Sequence, residues 1–308
     1  MGIPVGVSDV GSRAGNRAGR WVVDAARLCE RLGFSSFWAP QRVLLAQGSD
    51  ESHPYGLDRE HRAMHQHGFF ETFTSLAAIA TATSTLKLGS YVDLTGLRNP
   101  LVTAHLAATV DQLSEGRLLY GCGVGWTPDE WAGLGVPWER RGARTTDYLR
   151  AIKAAWSGEL FAYQGEFVDV AKVRVGPRPY QDPHPPILIG GNSQATIDRV
   201  VAVGDGWLGY GLAAADVRTF INRLRAALDA AGRDPSAVSL RVGYRPRGAL
   251  IDATPDELDR DTWVEMRDYI DACGAVGVDE VVISPRIPAD GFDDLMAEMA
   301  GVLGIELH

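Results

Sequence analysis

The apolar and polar positions of the chain change their spacing in a regular way. Short apolar runs rich in β-branched residues predict eight strands, at 3–8, 34–39, 86–93, 117–123, 186–190, 206–210, 238–244 and 278–284. Longer segments with apolar residues at helical spacing predict eight helices, at about 17–32, 70–84, 98–114, 139–157, 193–204, 214–231, 255–274 and 289–303. The predicted elements therefore alternate strictly between strand and helix.

Strict alternation implies parallel strands joined by right-handed crossovers. Eight strand–helix units are enough to close a (β/α)₈ TIM barrel, and a chain of 308 residues suits one such barrel. The alternative is a doubly wound open sheet, which usually contains fewer strands. We therefore expect an α/β protein with a single TIM-barrel domain over residues 1–308.

Two connections are longer than a plain barrel needs. One follows the second strand at about 40–69, and the other follows the fourth strand at about 157–185. In the second insertion, GEFVDV (165–170) and KVRVGPRP (172–179) predict an extended hairpin. Long loops in compact domains tend to serve function, so both insertions are candidates for shaping a site.

Composition narrows the class of protein. The chain is 45% apolar and 22% charged, which is typical of a globular protein, and its net charge of −9 argues against a nucleic-acid partner. No apolar run is long enough to span a membrane, and the first residues contain no signal sequence. Cys29, Cys122 and Cys273 are too few and too scattered for a disulfide framework. A cytoplasmic location is therefore expected.

The first candidate site is the glycine-rich stretch GRLLYGCGVGWTPDEWAGLGV (116–136). A dinucleotide-binding G-x-G-x-x-G fingerprint fails here, because the sixth position counted from Gly121 is Trp126. Gly123 and Gly125 lack side chains, so a flat ring could lie against their backbone while Trp126 forms a wall. The alternative is a tight strand-to-helix turn with a tryptophan on the surface.

The residues after this glycine run predict the start of a helix. Thr127 is a suitable N-cap, Pro128 suits the first turn, and Glu130 stands where a capping box requires it. The fourth strand therefore delivers its glycines to one end of the barrel, and a helix begins there.

The second candidate site lies in ILIGGNSQATIDRVVAVGDGW (187–207). A strand ends in Gly190-Gly191, and Asn192 or Ser193 caps the following helix. Free backbone N–H groups and the positive end of the helix dipole bind anions, so a phosphate would fit. The alternative is an ordinary capped helix. Both candidate sites lie at carboxyl ends of strands, where TIM-barrel enzymes place their chemistry.

Four histidines, His53, His61, His65 and His67, lie in the first insertion. His61 and His65 have a spacing found in metal sites, but no supporting ligands accompany them, so no metal is predicted. His65 is a candidate proton donor near a substrate. The alternative is a lid whose histidines are incidental.

Other strand ends and helix starts carry polar side chains with open interpretations. Four residues end strands and could line a pocket or simply cap the strands, namely Asp9, Tyr210, Tyr244 and Ser284. Arg140, Arg141 and Arg144 open a long helix, where they favour a surface ion-pair face over a phosphate site. Cys122 is expected to be a core residue rather than a nucleophile.

Five stretches together resemble the luciferase-like monooxygenase superfamily. They are GFSSFWAP (33–40), FTSLAAIATATSTLKLGSYV (73–92), RNPLVTAHLAATVDQLSEGRLLYGCGVGW (98–126), ERRGARTTDYLRAIKAAWSGE (139–159) and PPILIGGNSQATIDRVVAVGDGWLG (185–209). This superfamily uses flavin mononucleotide (FMN) or the deazaflavin coenzyme F420. The chain resembles the F420-using actinobacterial branch more than the true luciferases.

The resemblance implies a coenzyme ring at the carboxyl end of the barrel. Tyr91-Val92 aligns with a non-prolyl cis peptide under the ring, and Asp93 follows it. The residues implied to line the ring are Gly123, Gly125, Trp126 and Asp129, and those implied to take the phosphate are Gly190, Gly191, Asn192 and Ser193.

The chain departs from the family pattern at the end of the second strand. Many relatives carry an acidic residue and a histidine there, whereas this chain carries Gln41 and Arg42. Candidate catalytic residues are therefore Gln41, Arg42, Trp126 and His65. Arg42 could anchor an anionic substrate or coenzyme tail, or it could be a solvated loop residue.

These observations favour F420-dependent hydride transfer to or from a small organic substrate. One alternative is a monooxygenase that uses reduced FMN and oxygen and is supplied by a separate reductase. Another is a barrel lyase for phosphorylated substrates, although Lys87, Lys153 and Lys172 do not end strands as a Schiff-base mechanism requires. A third is a non-catalytic coenzyme-binding protein. The resemblance also implies a homodimer through helices 70–84 and 98–114.

Overall fold

The structure is a computed structural model that describes residues 3–8, 19–44, 69–244, 260–284 and 291–305. Its parallel strands form a closed barrel in the order β1-β10-β9-β8-β7-β4-β3-β2. The barrel strands are β1 (Val5–Ser8), β2 (Ser36–Ala39), β3 (Lys87–Ser90), β4 (Leu118–Cys122), β7 (Ile187–Gly190), β8 (Gly206–Tyr210), β9 (Ser239–Tyr244) and β10 (Glu280–Ile283). The predicted TIM barrel is confirmed, and the open-sheet alternative is wrong.

Helices surround this barrel in the predicted alternation. They are α1 (Gly19–Arg31), α2 (Thr72–Ala80), α3 (Pro100–Leu113), α4 (Pro128–Gly133), α5 (Arg141–Ala155), α6 (Gln194–Val203), α7 (Ala214–Ala230), α8 (Arg260–Gly274) and α9 (Phe292–Leu303). The short helix α4 is the one predicted to start after Thr127. Within the described residues, none of the helices combines the length and the apolar character that crossing a bilayer requires.

The apolar core has two layers, because successive side chains of a strand point to opposite faces. In β2, Phe37 packs into the layer between strands and helices, whereas Trp38 points into the barrel. Trp38 shares the interior with four aliphatic side chains, Leu119, Leu188, Leu208 and Val282. The neighbouring strand accommodates the indole with Gly89, since a Cβ there would lie 2.0 Å from the Trp38 ring. The interior is therefore a packed core rather than a channel.

A polar network occupies the amino-terminal end of the barrel interior. The Glu280 carboxylate lies 2.8 Å from Arg241 Nε and accepts a hydrogen bond of 2.7 Å from Ser36 Oγ. Both charged side chains are largely buried. Each charge is therefore compensated inside the fold, as a buried ion pair requires.

The insertion after β4 contains the predicted antiparallel hairpin, but its turn is earlier than predicted. The two strands are β5 (Phe161–Gln164) and β6 (Asp169–Val173), so the segment 165–168 forms the turn. The cause is Asp147 of α5, which accepts hydrogen bonds from Tyr163 Oη (2.5 Å) and the Phe167 amide (2.7 Å). A Cβ at Gly165 would lie 2.0 Å from Asp147, so the glycine permits this close approach.

Candidate active site

The end of β3 reaches across the carboxyl end of the barrel. The Tyr91-Val92 peptide is cis, as the family resemblance implied. The Tyr91 ring meets Trp38 at 5.9 Å and Tyr210 at 6.0 Å between centroids, both edge to face. Tyr91 therefore covers the barrel interior at this end and contacts β8, which lies three strands away from β3 in the barrel.

Val92 joins the two glycine sites that the sequence singled out. A Cβ at Gly123 would lie 2.6 Å from Val92 Cγ2, and a Cβ at Gly190 would lie 3.1 Å from Val92 Cγ1. The Val92 isopropyl group thus occupies the space that a side chain would take at either glycine. The ends of three strands, β3, β4 and β7, therefore meet at Val92.

Asp93 is fully buried, and its carboxylate meets Tyr120 in the layer between strands and helices. Its carboxylate accepts hydrogen bonds from Tyr120 Oη (2.7 Å), Thr95 Oγ1 (3.2 Å) and Arg98 Nη1 (3.1 Å). Burial raises the pKa of Asp93, and Arg98 opposes that shift. The Asp93 carbonyl also accepts the Gly123 amide at 2.9 Å. Asp93 therefore holds the end of β3 against β4, and its predicted role toward the coenzyme stays a prediction.

Gln41 and Arg42 lie on the same rim, and both are occupied by protein partners. Gln41 Oε1 accepts the Leu94 amide at 2.8 Å. Arg42 Nη1 donates to Thr127 Oγ1 (2.6 Å) and Glu130 Oε2 (2.8 Å), and its guanidinium stacks on Trp126 at 4.6 Å. Arg42 is thus neither a solvated loop residue nor an unpaired anchor for anions, because the Glu130 carboxylate already balances its charge.

The predicted capping box at α4 is wrong. Thr127 is the N-cap residue, but its side chain makes no capping hydrogen bond. Glu130 instead accepts the amides of Val43 (2.8 Å) and Leu44 (3.5 Å) as well as Arg42. A Thr-x-x-Glu spacing is compatible with a capping box and also with the observed bonds from Glu130 to the segment after β2. The sequence contains no signal that Arg42, 88 residues away, is the partner of Glu130. Glu130 is the site residue that sequence reasoning missed.

Gly125 and Asp129 lie on the same connection as Trp126. Gly125 has φ +69°, a conformation that favours glycine, and a Cβ there would lie 2.9 Å from Trp131 Nε1. Asp129 is exposed on α4. Their roles toward a ring stay predictions.

Each residue of the loop after β7 has a different structural role. Gly191 has φ +123°, which glycine tolerates. Asn192 fixes the neighbouring strand, because its side chain donates to the Tyr210 carbonyl (2.8 Å) and accepts the Tyr210 amide (3.3 Å). Ser193 caps α6 by accepting the Thr196 amide at 3.3 Å. The first amides of α6 point outward from the helix end, as in every helix.

Among the described residues, the arginines that open α5 form one ion pair. Arg140 pairs with Glu166 of the hairpin turn, whereas Arg141 stacks on Trp138 at 3.5 Å. Arg144 is buried, stacks on Phe167 at 4.9 Å and donates to a backbone carbonyl. Within the part of the chain that the structure describes, the predicted surface ion-pair face therefore holds for Arg140 but not for Arg141 or Arg144.

The remaining predicted residues divide between described and undescribed parts of the chain. Outside the described residues lie Asp9, His53, His61, His65 and His67. Among the described strand ends, Tyr244 stacks on Tyr269 at 4.4 Å, and Ser284 Oγ lies 2.7 Å from Ser8 Oγ. Cys122 is buried, and burial raises the pKa of its thiol to about 12, so it is a core residue as expected.

Comparison with known proteins places this geometry in a family. The luciferase-like monooxygenase family matches residues 5–290. The uncharacterized protein Rv0953c of Mycobacterium tuberculosis is 33% identical over 245 residues, which are 79% of this chain and 82% of that protein. The FMNH(2)-dependent dimethylsulfone monooxygenase of Pseudomonas putida is 29% identical over 219 residues, 69% of this chain and 55% of that protein.

Comparison of the fold with solved structures also finds coenzyme-dependent enzymes. A solved F420-dependent secondary alcohol dehydrogenase in complex with an F420-acetone adduct superposes with a TM-score of 0.76 at 18% identity, covering 98% of this chain and 99% of that one. Neither the lyase nor the non-catalytic alternative gains support from these relatives. The chain therefore belongs to the luciferase-like monooxygenase family of flavin- or F420-dependent oxidoreductases and monooxygenases, and it is an enzyme of that family.

Proposed function

We propose that this enzyme uses coenzyme F420 to move a hydride to or from a small organic substrate. The observation that carries the proposal is the packing of Val92 against Gly123 and Gly190, which places one short side chain on the surface that these three residues form. A planar ring fits such a surface. When bound, the deazaflavin supplies the hydride chemistry, and the protein binds it, orients it and excludes water.

The neighbouring loop suits the phosphate of the coenzyme. Gly190 and Gly191 bring the backbone close to the start of α6, and Ser193 caps that helix. The outward amides and the positive end of the α6 dipole favour an anion. We assign residues 190–193 to the phosphate and Gly123, Gly125, Trp126 and Asp129 to one edge of the ring.

The start of α5 favours F420 over FMN, because the phosphate of F420 continues into a tail of carboxylates. Arg199 in the middle of α6 donates to the Gly142 carbonyl at 3.2 Å, so the start of α5 packs beside α6. Within the described part of the chain, Arg141, Arg144 and Arg199 form no ion pair. Cations without counter-charges are costly to bury, and an acidic tail would supply those charges.

The substrate would lie on the side of the ring next to the end of β2. Gln41, Arg42 and Trp126 border this side, and His65 is the proposed proton donor. Gln41 and Arg42 then act by position and hydrogen bonding rather than by proton transfer, because an arginine does not lose its proton.

The second candidate is oxygenation with reduced FMN. It is favoured by the 29% identity to a dimethylsulfone monooxygenase whose name states FMNH(2) dependence. Such an enzyme would need a separate reductase as a partner. Against it, this chain spans only 55% of that relative.

Titration with three ligands tests the proposal. The purified protein is titrated with F420, with the deazaflavin riboside that lacks phosphate and tail, and with FMN, while ring fluorescence is recorded. We expect F420 to bind most tightly. Tight binding of FMN alone would reverse the choice of coenzyme, and binding of neither would refute both candidates.

A pair of arginine variants sharpens this test. Arg141→Met should weaken F420 binding by about fivefold, the size of one partly exposed ion pair, and leave FMN binding unchanged. Arg140→Met is the matched control, because Arg140 already pairs with Glu166 and should matter less. Equal effects on F420 and FMN would contradict the placement of the tail.

A further inference from the structure

Arg42 and Glu130 bridge two loops of the barrel rim. Arg42 follows β2, and Glu130 lies in α4 after β4, so the 2.8 Å contact passes the end of β3. Gln41 bonds the Leu94 amide beneath this contact. Glu130 also holds the amides of Val43 and Leu44, so one carboxylate fixes both the arginine and the backbone that follows it.

The bridge carries no net charge, although the arginine alone would attract anions. The side chain of Glu130 is 1% exposed and that of Arg42 is 11% exposed, so solvent cannot compensate either charge well. The other cation on this rim, Arg98, is paired with Asp93 and Glu71. Between β2 and β4, the described residues therefore offer no unpaired cation to a charged substrate.

Arg42 nevertheless keeps hydrogen-bonding capacity. Its bonds to described residues all use Nη1, and the guanidinium has further donors on Nε and Nη2. The position of the group is fixed by its two Nη1 hydrogen bonds and by the Trp126 ring, whose centroid lies 4.6 Å from the guanidinium carbon. A fixed donor whose charge is already balanced suits a neutral oxygen acceptor better than a carboxylate.

Building on the proposed function, we propose that Glu130 is a positioning residue that makes the substrate side of this site select uncharged organic molecules carrying an oxygen acceptor, such as a carbonyl group. Glu130 does this by neutralising Arg42 and fixing its orientation. The prediction made from the sequence, an anchor for anions, would apply only if Glu130 were absent.

Quenching of Trp126 fluorescence reports the local charge without requiring a substrate. The Trp126 contribution is obtained by subtracting the Trp126→Phe variant, and quenching by iodide is compared with quenching by neutral acrylamide at constant ionic strength. In the unaltered protein the iodide-to-acrylamide ratio should not exceed that of a free tryptophan derivative. In Glu130→Gln it should rise about threefold, because an unpaired cation attracts iodide.

Two further variants keep this test decisive. Arg42→Met/Glu130→Gln removes both charges at similar volume and should restore the ratio of the unaltered protein. Arg241→Met/Glu280→Gln removes an ion pair of the same residue types at the opposite end of the barrel and should leave the ratio unchanged. A high ratio in the unaltered protein that Glu130→Gln does not alter would overturn the proposal.

The substrate class is tested with benzamide and benzoate, which have similar shapes but different charges. Binding to the coenzyme-loaded enzyme is followed by ligand-observed NMR. Benzamide should bind more tightly to the unaltered enzyme, and Glu130→Gln should shift the preference toward benzoate. Preference for benzoate in the unaltered enzyme, or binding of neither probe, would refute the inference. The coenzyme titration is a separate experiment. Its failure would refute the proposed function, whereas failure of the benzamide and benzoate test in the coenzyme-loaded enzyme would refute only the inference about Glu130.

Discussion

At the scale of single residues, the shape of the candidate site depends on two glycines, which have no side chains, and on the valine that packs against them. Val92 fills the space above Gly123 and Gly190, and any larger residue at either position would displace it. The family resemblance implied that these glycines make room for a coenzyme. The structure adds that the isopropyl group of Val92 lies between them, so that the shape of the surface is set by three residues together.

Gly123→Ala should therefore damage the site. The added Cβ would lie 2.6 Å from Val92 Cγ2, which predicts a loss of about 1–3 kcal/mol in the free energy of unfolding and weaker coenzyme binding. Denaturant unfolding measures the free energy of unfolding, and fluorescence titration measures coenzyme binding. Val92→Ala/Gly123→Ala should recover most of the stability.

Gly301→Ala serves as the control for this substitution. Gly301 lies in α9 with open space around it, so alanine should stabilise the protein by about 0.5–1 kcal/mol. If Gly123→Ala proved as harmless as this control, the close packing of Val92 would not exist in solution.

At the scale of elements, the hairpin after β4 illustrates how a distant residue sets a turn. Its apolar pattern predicted an extended pair of strands, and that pair exists. The position of the turn depends on Asp147, which lies in the preceding helix α5 and is buried beneath the hairpin. A sequence pattern contains the propensity for strands, but it does not contain the contact that decides where the chain reverses.

Asp147→Ala should release the hairpin. The Phe167 amide and the Tyr163 hydroxyl lose their acceptor, which predicts a loss of about 2–3 kcal/mol in stability. Cleavage within 161–173 by limited proteolysis should accelerate accordingly. Tyr163→Phe removes only one of the two bonds and should have a smaller effect, so an equal effect of both variants would speak against the double anchor.

At the scale of the whole molecule, two buried arginine–glutamate pairs stand at opposite ends of the barrel. Arg241 and Glu280 lie where the strands begin, and Arg42 and Glu130 lie beyond the ends of β2 and β4. In TIM-barrel enzymes the first location serves stability and the second serves function. The two pairs are therefore expected to respond differently to the same replacement, as the quenching experiment requires.

The homodimer predicted from the family resemblance would form through the outer surface of the helices at 70–84 and 98–114. Val102 on α3 is 48% exposed and Phe70, just before α2, is 44% exposed, so apolar side chains lie outward on the predicted dimer face. Light scattering should give the mass of two chains for the unaltered protein and of one chain for Val102→Asp. Leu160→Asp is the control, since Leu160 is 65% exposed outside these two helices. A monomeric unaltered protein would contradict the expectation.

The sequence by itself determined the barrel, the number of its strands and the two glycine-rich strand ends. These features follow from local spacing, because the apolar period of a segment depends only on residues that are near one another in the chain. The cap of α6 at Ser193 is local in the same sense and was foreseen as one of two choices.

Only the tertiary structure decided the partners of the polar side chains. Glu130 spaced three residues after Thr127 satisfies a local capping rule, yet it bonds Arg42 and the backbone of Val43 instead. Glu130 accepts from Arg42 and from the amides of Val43 and Leu44, whereas a capping box would give it one backbone amide, but these bonds form only because folding brings distant segments together. The charge of the substrate side therefore follows from the meeting of two loops, which no local pattern encodes.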